Sequence, residues 1–133
     1  MKLSLALISI LISVIDARRS NGFLNSCDRN TLDYNDSSGS NDWGTLKVKC
    51  AGVPKFINLQ SCISNSNGYL VWNTENGHFA ETCGTCKIHT STLNSIKQLR
   101  CTFCFKPGGV KRLGAAINLD DGIGYEDGTL ICN

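Results

Sequence analysis

Histidine is scarce in this chain of 133 residues, which contains only His78 and His89. No motif of the G-x-S-x-G or H-E-x-x-H kind accompanies them. Charge of one sign is also scarce, because 13 Lys and Arg side chains face 11 Asp and Glu side chains without a basic stripe. These absences predict a protein that is not an enzyme and does not bind nucleic acid. One alternative stays open, a glycosidase-like carboxylate pair within the acidic cluster of Asp120, Asp121, Glu126 and Asp127.

A long apolar run is lacking everywhere except at the N-terminus. The stretch "LSLALISILISVI" follows Lys2, covers thirteen positions and is followed by "DA". A short basic start, an apolar run of this length and the small residue Ala17 are typical of a secretory signal peptide, whereas a membrane-spanning helix needs about 20 apolar residues. We therefore expect a signal peptide at residues 1–17, a domain at residues 20–133, and secretion to the extracellular space without membrane insertion. Trimming up to residue 19 and a buried N-terminal helix stay open as alternatives.

The single sequon for N-glycosylation is Asn35-Asp36-Ser37. It lies in a polar insert, which is predicted to be a surface loop. Because secretion would take the chain past the glycosylation machinery, we expect Asn35 to be a glycosylation site.

Cysteine, in contrast, is plentiful, with eight residues at positions 27, 50, 62, 83, 86, 101, 104 and 132. An even number of cysteines behind a signal peptide is typical of a disulfide framework. The pairs "CGTC" and "CTFC" are also spaced almost as in a four-cysteine zinc ribbon, which is the alternative. Because thiolates do not persist in an oxidising compartment, we expect disulfides and no bound metal.

The chain repeats itself. The stretch "INLQSCISNSNGYLVW" at 57–72 returns as "INLDDGIGYEDGTLIC" at 117–132, and "FLNSC" returns as "FAETC", so two copies cover about 20–72 and 76–132. Within each copy the pattern is that of β-strands, as in the alternation of "TLKVKC", with Asn-Gly or Asp-Gly turn signals. No segment has a sustained helical period. The sequence therefore predicts antiparallel β-structure with internal pseudo-symmetry and single helical turns after "INL".

The doubled order of F-x-x-x-C, L-x-x-x-C, INL and NG-x-L or DG-x-L resembles the cyanovirin-N homology (CVNH) domain family, over nearly the whole mature chain. The resemblance implies an all-β, elongated and pseudo-symmetric protein. In this fold two tandem repeats exchange strands, so that each repeat completes the other half. It also implies a lectin for mannose-rich glycans that needs no cofactor.

The repeats suggest how the cysteines pair. In one antiparallel register, opposed residues share a constant index sum, and this sum is the same for Cys83–Cys104 and Cys86–Cys101. The corresponding bridge of the first copy is Cys27–Cys50. The strand exchange implied by the resemblance brings the last strand beside the helical turn of the first copy, so that Cys62 meets Cys132. Gly122 then needs no cysteine, because the partner of Cys62 belongs to the other repeat.

The resemblance also implies two sugar sites, each formed by a hairpin turn, the stretch before the first cysteine of a repeat and the hairpin after its last. The middle site maps to Ser64, Asn65, Asn67, His78, Glu81, Thr82 and Lys106. A second, weaker terminal site maps to Asn25, Ser26, Tyr125 and Asp127. The segment "AGVPKF" after Cys50 is shorter than "FKPGGVKRLGAA" after Cys104. We therefore expect the hairpin after Cys104 to enclose the middle site more completely than the other hairpin encloses the terminal site. Glu81 and Asn65 are its strongest candidates.

Together these features predict a secreted lectin for mannose-type oligosaccharides, either free or on glycoproteins. The alternative is a secreted structural or protein-interaction module that has the same fold and no sugar site. The linker "NTENGH" contains no proline, and its length lets one chain close on itself. We therefore expect a monomer rather than a dimer that exchanges halves.

Overall fold

A computed structural model describes residues 21–75 and 77–132 of the chain. The predicted signal peptide at 1–17 and the trimming position at residue 19 lie outside these residues. In the part that is described, no helix is both long enough and apolar enough to cross a membrane. The regular structure consists of antiparallel β-strands and single turns of 3-10 helix, which confirms the predicted fold class.

The first repeat contains a three-stranded sheet and a hairpin. The sheet has the order β1-β2-β3, and the hairpin pairs β4 with β5. Two 3-10 turns, η1 and η2, precede β1 and β4. The elements are η1 (Phe23–Asn25), β1 (Cys27–Tyr34), β2 (Thr45–Cys50), β3 (Val53–Asn58), η2 (Leu59–Ser61), β4 (Ile63–Ser66) and β5 (Tyr69–Trp72).

The second repeat has the same plan. Its sheet has the order β6-β7-β8, and its hairpin pairs β9 with β10. The elements are η3 (Phe79–Glu81), β6 (Cys83–Thr90), β7 (Lys97–Phe105), β8 (Lys111–Asn118), η4 (Leu119–Asp121), β9 (Ile123–Glu126) and β10 (Thr129–Cys132).

Each hairpin packs against the sheet of the other repeat. Strand β5 contacts β8, and strand β10 contacts β3. The predicted strand exchange is therefore present within a single chain. As a consequence, each end of the molecule combines a hairpin of one repeat with a sheet of the other.

The core follows from the alternation read in the sequence. In β2, Leu46, Val48 and Cys50 are buried and the lysines between them are exposed. Phe23 and Phe79, at equivalent positions in η1 and η3, are both almost fully buried. Burying such a side chain contributes about 1.5–3 kcal/mol to the free energy of folding, so the two phenylalanines anchor the start of each repeat.

All eight cysteines form disulfides. They join Cys27 to Cys50, Cys62 to Cys132, Cys83 to Cys104 and Cys86 to Cys101, the four pairs expected from the sequence. The sulfurs of Cys83, Cys101 and Cys104 lie close together, but they belong to these bridges, so no thiolate is left for a zinc ribbon. The Cys62–Cys132 bridge spans 70 positions and ties the first repeat to the last strand of the second.

A glycine and a tryptophan take the place of this bridge at the other end of the molecule. Gly122 follows η4 as Cys62 follows η2, and Trp72 ends β5 as Cys132 ends β10. A Cβ atom on Gly122 would overlap the indole ring of Trp72. The molecule thus has two equivalent junctions, each between the end of a hairpin and the end of a 3-10 turn. A disulfide joins the two parts at Cys62 and Cys132, whereas the indole ring of Trp72 packs on Gly122 at the other junction.

Candidate functional site

The side-chain amide of Asn65 joins three segments of the middle site. Its Nδ2 donates to Thr82 Oγ1 at 2.9 Å and to the carbonyl oxygen of Phe105 at 2.8 Å. Its Oδ1 accepts from the backbone N–H of Gly68 at 2.7 Å. The hairpin β4–β5, the end of η3 and the end of β7 are therefore held together through one side chain.

This geometry gives Asn65 a structural role. Both of its amide hydrogens and its Oδ1 form hydrogen bonds within the protein. Asn65 is therefore a positioning residue, and its membership of the site stays a prediction.

The turn between β4 and β5 requires its Asn-Gly pair. Asn67 and Gly68 have φ angles of 52° and 87°, in the left-handed region that Asn tolerates and Gly favours. A Cβ on Gly68 would lie 2.7 Å from Cβ of Arg112 and 3.2 Å from Cγ of Lys106. The turn therefore brings its backbone against the β7–β8 hairpin and leaves the side chain of Asn67 exposed.

His78 and Glu81 provide the exposed polar groups at the start of the second repeat. His78 Nδ1 lies 3.8 Å from Glu81 Oε1, and the side chains are 71% and 63% exposed. His78 precedes η3 with a positive φ of 63°, and its N–H donates to the carbonyl oxygen of Gln60. The Glu81 carboxylate thus faces solvent at the edge of the segment that Asn65 fixes.

The other predicted residues of the middle site differ in accessibility. Ser64 is only 7% exposed, so its side chain is largely hidden from a ligand. Thr82 is exposed, and its carbonyl oxygen accepts from the N–H of Phe105 at 2.9 Å. Lys106 is half-buried and opens the β7–β8 turn, where its N–H donates to Val110 at 2.7 Å. The accessible polar groups are therefore those of Asn67, His78, Glu81, Thr82 and Lys106.

The terminal site has the same backbone plan and different side chains. Tyr125 faces Leu130 across β9–β10, as Asn65 faces Leu70 across β4–β5. Asp127, with a φ of 50°, takes the place of Asn67. Asn25 and Ser26 are exposed at the end of η1. Asn65 forms three hydrogen bonds through its side-chain amide, and we call this set the Asn65 brace. Because a tyrosine side chain has no amide, Tyr125 cannot form the same three bonds.

The hairpins that flank the two sites differ in length. Cys50 pairs with Val53 across a two-residue turn, whereas Phe105 pairs with Lys111 across residues 106–110. The longer hairpin reaches the β4–β5 turn, where Lys106 and Arg112 lie against Gly68. This difference was expected from the segment lengths in the sequence.

Comparisons with known proteins agree with this architecture. The family model of the CVNH domain matches residues 23–131. The chain belongs to the CVNH family. No curated protein matches it in a sequence comparison.

Three solved CVNH-type structures share the fold. The NMR structure of GzCVNH from Gibberella zeae has a TM-score of 0.65 and 23% identity, over 84% of this chain and 96% of that one. A complex of microvirin with mannobiose has a TM-score of 0.64 and 24% identity, over 86% and 100%. TbCVNH from T. borchii has a TM-score of 0.58 and 23% identity, over 84% and 99%. At these identities the likeness shows the fold alone.

Sequence reasoning missed one side chain of the CVNH middle site. The guanidinium of Arg112 lies over the ring of Tyr69, with its central carbon 3.6 Å from the ring centroid. Arg112 is the second residue of β8, and Tyr69 opens β5 in the other repeat. No spacing in the sequence marks this pair, because it forms only when the hairpin of one repeat packs on the sheet of the other.

Proposed function

We propose that this CVNH chain is a secreted lectin that binds mannose-type oligosaccharides at the middle site and has no catalytic role. The observation that carries the proposal is the Asn65 brace, which holds a turn, a 3-10 helix end and a hairpin around one polar surface. Membership of the CVNH family supports a lectin. The mannobiose complex of microvirin, which has the same fold, supports mannose as the sugar.

The exposed groups suit a polyhydroxylated ligand. A sugar hydroxyl donates and accepts at once, and the middle site offers both kinds of partner. The Glu81 carboxylate accepts from two vicinal hydroxyls, and the Asn67 amide and Lys106 ammonium donate. Each hydrogen bond contributes only about 1 kcal/mol net, so we expect micromolar or weaker binding. Branched glycans should bind little better than linear ones, because the terminal site lacks the brace and adds little effective concentration.

A specific surface favours the second candidate, a protein-interaction module without sugar binding. Val110 and Leu113 on the β7–β8 hairpin are 59% and 75% exposed, and Phe105 is 38% exposed. Exposed apolar side chains that cluster on a surface are typical of protein contact sites. The three side chains come from the β7–β8 hairpin, whose turn also carries Lys106 of the predicted middle site.

A glycan array on the secreted protein separates the two candidates. Binding restricted to mannose-terminated structures supports the lectin. A blank array, with protein shown to be folded by circular dichroism, would rule the lectin out in favour of the interaction module. Mass spectrometry of the same sample tests two further parts of the proposal, removal of residues 1–17 and glycosylation at Asn35.

We also propose that the chain is a monomer. Both hairpin exchanges occur within one chain, and the Cys62–Cys132 bridge closes that arrangement covalently. Light scattering of dilute protein should give the mass of one chain. A stable dimer would contradict this part of the proposal without affecting sugar binding.

A further inference from the structure

Two cations line the β7–β8 side of the middle site. Lys106 lies in the turn, and Arg112 is the second residue of β8; we call these two residues the cationic wall. The stems of Lys106 and Arg112 flank Gly68, and a Cβ on this glycine would lie 2.9 Å from Cδ of Arg112. The wall therefore stands directly against the turn that the Asn65 brace positions.

An aromatic ring, rather than a carboxylate, holds the cation of Arg112. The Arg112 guanidinium lies 3.6 Å from the centroid of Tyr69. The Lys111 ammonium lies over Phe103 and Phe105 on the opposite face of β8, so it is not part of the wall. Cation–π contact positions a charge without neutralising it.

No acidic side chain in residues 21–75 and 77–132 forms an ion pair with the wall. Among these residues the carboxylate of Glu81 lies 3.8 Å from His78 Nδ1, an ion pair only when the imidazole is protonated. Glu81 is also the one carboxylate among the predicted residues of the middle site. Two half-buried cations thus face a site that contains a single carboxylate.

The terminal site has the opposite balance. Its turn carries Glu126 and Asp127, and one cation, Lys55, has its Nζ 3.9 Å from where a Cβ on Gly128 would lie. The hairpin that corresponds to the cationic wall ends in the uncharged turn Ala51-Gly52. The positive charge is therefore a property of the middle site and does not follow from the fold.

We infer that the middle site selects glycans that carry an anionic substituent, a phosphate, sulfate or carboxylate, over their neutral counterparts. This inference rests on the proposed lectin function. A guanidinium presents a planar set of donors that matches a carboxylate or phosphate in two-point hydrogen bonding, and an ammonium adds a compact charge. In this arrangement Glu81 and Asn67 bind the sugar hydroxyls, and the wall binds the anionic group.

The test compares two ligands that differ in one group. Mannobiose and mannobiose phosphorylated on one hydroxyl are titrated into the full secreted protein by calorimetry, at low and at high salt. Because each exposed ion pair contributes only modestly in water, we expect the phosphorylated ligand to bind roughly tenfold more tightly at low salt. This preference should shrink at 1 M salt, where the screening length falls to about 3 Å.

Three variants that each lose one positive charge test whether the preference for the phosphorylated ligand depends on the wall. Arg112→Gln and Lys106→Gln should each reduce the ratio of the two affinities severalfold. Lys49→Gln removes the same charge from an exposed position in β2, outside both sites, and should leave the ratio unchanged. Matched sulfated and carboxylated disaccharides rank the three anions.

Each other outcome has a defined meaning. Equal affinity for both ligands, or a preference that survives both substitutions in the wall, overturns the inference and leaves the lectin proposal intact. Inorganic phosphate that competes as strongly as the phosphorylated sugar also overturns it, because the wall would then be an ion site without glycan selectivity. If neither disaccharide binds the folded protein, the proposed function itself fails.

Discussion

The two ends of the molecule have one backbone plan and differ at a few equivalent positions. Asn65 corresponds to Tyr125, the turn at residues 106–110 to the turn Ala51-Gly52, and Cys62 with Cys132 to Gly122 with Trp72. The middle site has the amide brace, the long hairpin and the cationic wall, and the terminal site has none of the three. The two repeats therefore provide two similar backbones, and a few side chains distinguish the predicted middle site from the terminal site.

The largest expected effect concerns the two junctions. Replacing Cys62 and Cys132 together with serine removes a bridge that closes about 70 residues, which the chain-entropy model values at roughly 4 kcal/mol. Urea denaturation should show a loss of that size. Removing Cys86 and Cys101, which are separated by 15 positions, should cost about 3 kcal/mol and serves as the control. A smaller loss for the long bridge than for the short one would contradict this ranking.

A smaller effect is expected at the junction without a disulfide. Gly122→Ala places a methyl group where the Trp72 ring lies, and overpacking of this kind costs about 1–3 kcal/mol. Gly39→Ala has open space around its methyl group, but its φ of 87° gives it a backbone strain cost, so it is a reference for strain without overlap. The comparison is made by the midpoint of urea unfolding. If Gly122→Ala left the midpoint unchanged, the ring would not be the reason for the glycine.

Much of this fold could be predicted because the repeats constrain it. A constant index sum placed Cys83 opposite Cys104 and Cys86 opposite Cys101, and both pairs appear in one register. The pairing of Cys62 with Cys132 needed the strand exchange of the CVNH fold, since nothing local relates the two residues. The local sequence pattern was thus enough to predict the strands, whereas the family resemblance was needed to predict how the strands exchange.

The side-chain contacts of the predicted middle site were less predictable, for a physical reason. Asn65 was singled out through the family resemblance, but its partners Thr82 and the Phe105 carbonyl lie 17 and 40 positions away. Arg112 was missed because its partner Tyr69 belongs to the exchanged hairpin. Side-chain contacts between repeats depend on how the hairpins dock, and no periodicity in the sequence records that.

The next prediction concerns the difference between the two sites in binding. Glu81→Ala should weaken mannobiose binding roughly tenfold, a loss of about 1.4 kcal/mol, because it removes the exposed carboxylate that accepts from the sugar. Asp127→Ala, on the other hairpin turn, is the matched control and should have little effect. Calorimetry measures both, and unchanged thermal unfolding shows that the fold is intact. A damaging Asp127→Ala with a silent Glu81→Ala would place the site at the terminal end.

The smallest expected effect concerns a contact between the repeats that involves Asp36. Its Oδ2 accepts from the N–H of Cys86 at 3.0 Å, which ties the loop of the first repeat to β6 of the second. Burial raises the pKa of the Asp36 carboxyl, and the hydrogen bond from Cys86 opposes that rise. A raised pKa means that the folded state favours the neutral acid. The associated stability is therefore fully present below the ordinary pKa of 3.8 and is lost as the pH rises through the folded value.

Asp36→Asn keeps a side-chain acceptor and the glycosylation sequon but cannot ionise, so it isolates this contribution. The difference in Tm between the variant and the wild type should move in favour of the variant from pH 3 to pH 7, by a small amount because the group is largely exposed. Asp33→Asn, in β1 of the same repeat, controls for the loss of one negative charge. A difference that moved the other way would mean that the Cys86 hydrogen bond outweighs burial, so that this contact favours the charged form of Asp36 and stabilises the union of the two repeats at neutral pH.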